Sequence, residues 1–369
     1  MSFHRRRMAA LMLAVPMAIY GFACSEDSDP TDDDLTRTRD GGDQDDGGTG
    51  NHDSGILNPD DSGQRSECEG NPLIESAADG GALLAFDGGA IKEIAKGEFL
   101  DGPQWIDDGD NGGIVYSEVN NQQIIRNGPD GGSRVILRTL PADSLPIGNA
   151  QADGFIYTTL AKTSGGGGIL RMQLDGGAPT GFDGGPAVGA NDIVASSKGF
   201  LHFTDPNFQV GGGTTGVYLM APDGAVTTVT SFPDGDHADG IALTEDGSTL
   251  YVGFFGQKRI TKYSVDASGV ASSPQDLTFT PIDNPTGIAV DVGGNLWIAE
   301  NDSNGEVKGR IEIVHPTTGK KWAEIPFPDA RPTGVAFGGA DNKTVYVTTE
   351  RITDEGSLYV LTSRCAGVR

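Results

Sequence analysis

Positive charge is scarce in this 369-residue chain: 26 Lys and Arg stand against 52 Asp and Glu, a formal charge of −26 at pH 7. That balance argues against nucleic acid and anionic membrane surfaces as partners, since both would repel it. Histidine is scarcer still, and His4, His52, His202, His237 and His315 show no metal-ligand spacing. There is no GxSxG elbow and no HExxH pair. Lys162-Thr163 precedes its glycine run, the reverse of the order a phosphate loop requires. Beyond residue 23 no segment sustains helical periodicity, so helical folds are excluded as well.

What is present starts with a leader. Arg5, Arg6 and Arg7 precede MAALMLAVPMAIYGFA, which is too short for a membrane span and reads as an export signal over 1–23. Cleavage after Ala23 leaves Cys24 first. This resembles a bacterial lipoprotein signal, in which that Cys is acylated, although Gly21 stands where Leu is usual. An ordinary signal peptidase would also cut there. The expectation is an exported, monomeric protein of the periplasm or outer membrane, touching membrane only through lipid on Cys24, with a secreted form as the alternative. Residues 24–66 hold thirteen acids, three arginines and few aliphatics. Such a segment buries too little apolar surface to offset chain entropy and reads as a disordered tether. Residues 67–369 form the remaining domain.

That domain repeats. Polar or apolar residues opening an apolar run recur at Asp101-Gly102, Ile147-Gly148, Asn191-Asp192, Asp239-Gly240, Thr286-Gly287 and Thr333-Gly334, 44 to 48 residues apart. Each start leads into an aromatic-rich second strand (IVYSE, FIYTT, LHFTD, LYVGF, LWIAE, VYVTT) and then a third. Fourth strands are legible as SRVILRT, AVTTVTS, DLTFT and KWAEIPF. DGG triplets such as Asp130-Gly131-Gly132 suit the turns. A period of this size predicts an all-β six-bladed propeller with four antiparallel strands per blade. The last blade lacks a fourth strand, so AIKEIA at 90–95 is expected to close the ring. Closure brings the chain ends together, and Cys68 and Cys365 are expected to form a disulfide in an oxidising compartment.

In an antiparallel meander the six opening residues ring the mouth of the central channel. The second-strand ends Glu118, Asp205, Glu300 and Glu350 sit around it, under the long loops 161–168 and 205–216. Asp101, Asn191 and Asp239 converging on an axis call for a counter-charge, and oxygen-only donors favour calcium or magnesium. Thr286 and Thr333 read more readily as structural. His237, two residues from Asp239, has a side chain suited to proton transfer.

The stretches LDGPQW, VYSEVNNQQIIR, GANDIVASSKGFLHFTDPNF, HADGIALTEDGSTLYVGF, NPTGIAVDVGGNLWIAEN and RPTGVAFGGADNKTVYVTT resemble the senescence marker protein, gluconolactonase and luciferin-regenerating enzyme family of six-bladed propellers. The resemblance implies a divalent metal on the axis, commonly calcium, polarising a substrate carbonyl. It puts Asp101 in the place of the family's Glu, Asn191 on the Asn of its ND pair, and Asp239 where a PNG Asn stands. The family's Asp, a metal ligand and the base that activates water, falls on Thr286, which cannot fill that role unaided. Two readings follow. In one, Asp239 supplies the missing carboxylate and the protein hydrolyses a small-molecule lactone or ester, with metal ligands Asp101, Asn191, Asp239 and Thr286 and catalytic roles for Asp239, Asn191 and His237. In the other, it is a catalytically inactive, envelope-tethered propeller that binds calcium or a ligand.

Overall fold

Alternating β-branched and aromatic residues make strands here because each strand has two faces to bury. In the computed structural model, residues 91–368 are described apart from 110, 111, 209–213, 234, 280, 282, 302–307, 328, 329 and 352–354. The signal, the tether, Cys68 and the middle of the 205–216 loop lie outside these residues. The described residues form twenty-four strands and no helix, in six four-stranded antiparallel sheets. This is the expected six-bladed propeller.

Each blade runs outward from an innermost strand: Leu100–Ile106, Ser144–Ala152, Ile193–Ala195, His237–Leu243, Asn284–Val290 and Arg331–Gly338 for blades one to six. The second strands are the buried walls between blades, with Tyr116, Phe203, Phe254, Trp297 and Tyr346 all inaccessible. Outer strands face solvent, as the alternation along Val226–Pro233 shows. The sixth sheet is closed by Lys92–Glu98 pairing with Glu355–Thr362. The ring therefore closes as the sequence implies, with a strand that ends three residues later than the expected segment.

Two outer strands differ from expectation. Blade four's is Ala271–Asp276 and not DLTFT, and blade two's is Thr180–Asp183, which has no hydrophobic pattern. Both are edges, where polar residues and Pro274 are tolerated because one side of the strand needs no partner.

The six inner strands meet through backbone. A β-bulge interrupts the inner strands of blades one, two, four, five and six, and its extra residue is Gly102, Ile147, Asp239, Thr286 or Thr333. Blade one keeps the expected phase, since Leu100 pairs with Glu118 and Gln104 with Val115 as Pro332 pairs with Thr349 and Ala336 with Tyr346, and its bulge opens at Gly102, directly after Asp101. Gly102 adopts φ +54°, which favours glycine. The residue after the bulge is Gly240, Gly287 or Gly334 in blades four to six. A Cβ on Gly287 would come within 2.7 Å of the Gly334 Cα, and one on Gly240 within 3.0 Å of the Gly287 Cα.

At least one polar bond crosses each seam. Asn149 Nδ2 donates to Gly102 O (2.8 Å), Thr159 Oγ1 to Asn191 O, and Thr204 Oγ1 to Asp239 O (2.5 Å). Gly256 N donates to Asn284 Oδ1 (3.0 Å), Thr286 Oγ1 to Pro332 O (3.0 Å), and Thr333 Oγ1 to Leu100 O (2.6 Å). At about 1 kcal/mol net each, these bonds add less than burial does, but they fix the ring's register.

Because the atom facing Gly287 is backbone and cannot swing away, Gly287→Ala is expected to cost about 1–3 kcal/mol, measured by the shift in denaturation midpoint. His202 gives a second expectation. Its Nε2 lies 2.8 Å from Gly269 O across the seam of blades three and four, and burial holds its pKa below 6.5. A neutral folded histidine stabilises above pH 6.5, and that contribution is lost as acid protonates the unfolded chain. The stability difference between wild type and His202→Gln should therefore shrink from pH 7.5 to pH 5; a constant difference would contradict this.

Candidate functional site

The bulge turns one side chain away from regular pleating in five of the inner strands, Asn191 precedes the sixth, and these positions differ in whether the fold uses that side chain. Thr286 Oγ1 lies 3.1 Å from Ala299 O and 3.0 Å from Pro332 O, so its hydroxyl serves the seam. Thr333 is engaged in the same way. Asp239 is 4 % exposed, and its carboxylate accepts no hydrogen bond among the described residues. The buried Asn191 binds through its backbone, with its N donating to Thr204 O at 2.8 Å, while its side-chain amide makes no hydrogen bond among the described residues.

Asp101 precedes the blade-one bulge and reaches the same region, where Gly102 N donates to its Oδ1 at 2.7 Å. Asp192, which the sequence reading passed over in favour of Asn191, also enters the channel. It accepts from Ile193 N (2.9 Å) and from Ile241 N of the next blade (3.0 Å). The signal that would have found it is positional: Asp192 stands where blades two, four, five and six carry Gly148, Gly240, Gly287 and Gly334. Asp101, Asp192 and Thr333 line one end of a cavity of about 130 Å³ along the axis, and Leu243, Val290, Phe337 and Val368 line the other.

Burial opposes the ionisation of all three carboxylates, and Asp101 and Asp239 also feel neighbouring negative charge. Burial is the main cause, and it lifts Asp101 to about 7, with Asp192 and Glu350 adding to the effect. Burial likewise lifts Asp192 to about 7. Asp239 is pushed well above the usual carboxylate range by burial and by the charges of Asp101, Asp192 and Glu350.

The other strand-end acids are satisfied by protein. Glu118 accepts from Glu98 N (2.8 Å) and pairs with Arg134 (2.7 Å). Asp205 accepts from Asn207 N (2.8 Å), and Glu300 accepts from Asp283 N (3.2 Å) and pairs with Arg310 (3.6 Å). Glu350 pairs with Arg331 (3.8 Å) and accepts from Asn301 Nδ2 (3.1 Å). His237 lies 2.6 Å from Pro206 O through Nδ1, which is therefore its protonated nitrogen, and its ring packs on Phe208. The structure thus gathers Asp101, Asp192 and Asp239, spends Thr286 on the seam, and seats His237 against the 205–208 segment.

A divalent cation matches this site in chemistry: the donors are oxygens only, buried, and short of compensating charge. Among the described residues, no three acidic, His or Cys side chains stand close enough together to share one ion.

Residues 99–351 match the family model described as the SMP-30/Gluconolactonase/LRE-like region. Pentonolactonase XacC of Haloferax volcanii is 27 % identical over 174 residues, 45 % of this chain and 55 % of that protein. The chain spans about half the length of the curated relatives it matches. Among solved structures, a gluconolactonase from Xanthomonas campestris superposes with a TM-score of 0.59 at 22 % identity, covering 80 % of this chain and 95 % of that one. A calcium-binding regucalcin from Agrobacterium tumefaciens superposes with a TM-score of 0.61 at 20 % identity, covering 76 % and 97 %. At these identities the structural likeness establishes the fold alone.

The raised carboxylate pKa values carry a sign. A carboxyl whose folded pKa exceeds its unfolded value of 3.8 stabilises below that value, and the contribution is lost as pH rises through about 7. In chelator, Asp239→Asn should therefore melt higher than wild type at pH 8, with a gap that closes toward pH 4; a variant that melts lower at pH 8 would contradict it.

Proposed function

The chain belongs to the SMP-30/gluconolactonase/LRE-like family, and from that membership we propose that it hydrolyses a small-molecule lactone or ester at the mouth of the central channel, assisted by a divalent cation, calcium by preference. The observation that carries the reading is Asp239: a buried carboxylate beside two others, with no hydrogen-bond donor among the described residues. The lactone class rests on the family and on relatives named as lactonases.

Asp101, Asp239 and the free amide of Asn191 are the residues that would hold the cation. Polarisation of the ester carbonyl is the chemistry a bound divalent cation supplies. The protein's own part is proton handling and exclusion of bulk water. Asp239, once ionised, takes the proton from the attacking water and returns it to the leaving alkoxide. Without a cation, burial and neighbouring negative charge hold its pKa well above the usual carboxylate range, and a bound cation would favour the ionised form that accepts the proton. Asp239 thereby takes the role that the family gives to the residue at Thr286. His237, tethered through Nδ1 to Pro206 O, orients the loop beside the mouth.

The engagement of Thr286 at the seam favours a second reading, in which the propeller binds a cation or ligand without turnover. On the sequence alone, we also propose export by residues 1–23 and attachment to the cell envelope through Cys24. A Cys68–Cys365 bridge is supported by Cys365, which is fully buried and disulfide-bonded.

Hydrolysis of gluconolactone and of aryl esters, with calcium or with chelator, separates the two readings. Calcium-dependent turnover is expected, falling about 10²- to 10⁴-fold in Asp239→Ala. Turnover that survives both Asp239→Ala and Asp101→Ala would overturn the assignment, and calcium binding without turnover would establish the second reading.

A further inference from the structure

Asp239 must be aimed by its backbone, because its carboxylate has no hydrogen-bond donor among the described residues to hold it. That backbone is tied from the neighbouring blade at two points. Thr204 Oγ1 donates to Asp239 O at 2.5 Å, and Ile241 N donates to Asp192 Oδ2 at 3.0 Å. Ile241 lies on the innermost strand, a sheet edge facing the channel, where a backbone N–H has no further strand to pair with. Asp192 supplies that partner. Its other oxygen accepts from Ile193 N at 2.9 Å, which fixes the carboxylate plane. The position admits a side chain only in this blade: a Cβ at Gly240 or Gly287 would press on the next blade's backbone, and blade three carries Asp where those blades carry Gly.

We infer that Asp192 is a positioning residue, which reaches from blade three across the seam and, with Thr204, sets the bulge that aims Asp239 into the channel mouth. Asp192 is then distinct from the proposed cation ligands, and its kinetic consequence rests on the hydrolase reading.

The test combines amide hydrogen exchange, calcium titration and lactone kinetics on the full chain, comparing Asp192→Ala with Asp192→Asn, which keeps an acceptor oxygen. Asp192→Ala should speed exchange at Ile241 and lower kcat about 10- to 100-fold with KM little moved, and Asp192→Asn, whose single oxygen can still face Ile241 N, should recover part of both. Wild-type exchange and kcat in Asp192→Ala would overturn the inference. Equal loss of calcium affinity in both variants would also overturn it, because Asp192 would then act through its charge as a ligand. If wild type turns over no lactone, the hydrolase reading fails by itself, and Ile241 exchange with calcium affinity still decides the positioning role. If Asp192→Ala does not fold, Thr204→Val removes the companion tether. The same faster exchange and lower kcat are then expected, and wild-type values for both would count against the inference.

Discussion

Six sheet edges have to meet around one axis, and close backbone approach at the bulges is the constraint on which the rest depends. Gly240 against Gly287 and Gly287 against Gly334 bring neighbouring inner strands nearer than any side chain would allow. That proximity lets a threonine hydroxyl or asparagine amide of one blade reach the carbonyl of the next. Ring closure by Lys92–Glu98 then leaves no open seam in the sheet sequence.

The same bulge makes the site. Every blade that carries it turns one residue out of the regular alternation, and the ring then either uses that residue or leaves it unengaged. Thr286 and Thr333 are used, since each gives its hydroxyl to a carbonyl of the next blade. Asp239 and Asn191 are buried but not consumed, and buried polar groups without protein partners mark where a ligand belongs. Asp101 and Asp192 line the axial cavity, and burial lifts both of them and Asp239 out of the usual carboxylate range.

The blade count, the second strands and the ring closure were legible because they follow from period and alternation, which burial enforces. Edge strands were not: Thr180–Asp183 and Ala271–Asp276 face solvent on one side and carry no pattern that burial would impose. The phase of blade one was legible: Asp101-Gly102 reads like Asp239-Gly240, and Thr333 bonds Leu100 O as Thr286 bonds Pro332 O, which keeps Asp101 in step with the ring. Asp192 was within reach, since an acid where other blades hold Gly breaks the repeat at the one layer where space is tightest. What no spacing discloses is which side chains the seams consume. That depends on bonds between blades, such as the one that engages Thr286.

We propose that the carboxylates at the channel mouth need a cation to complete their charge. Calorimetric titration of calcium near pH 6.5, in two buffers of different ionisation enthalpy, measures binding and proton release together. The account predicts binding that releases protons, because Asp101, Asp192 and Asp239 are held partly protonated by burial and ionise when their charge is compensated. Absence of binding, or binding with the same heat in both buffers, would contradict it.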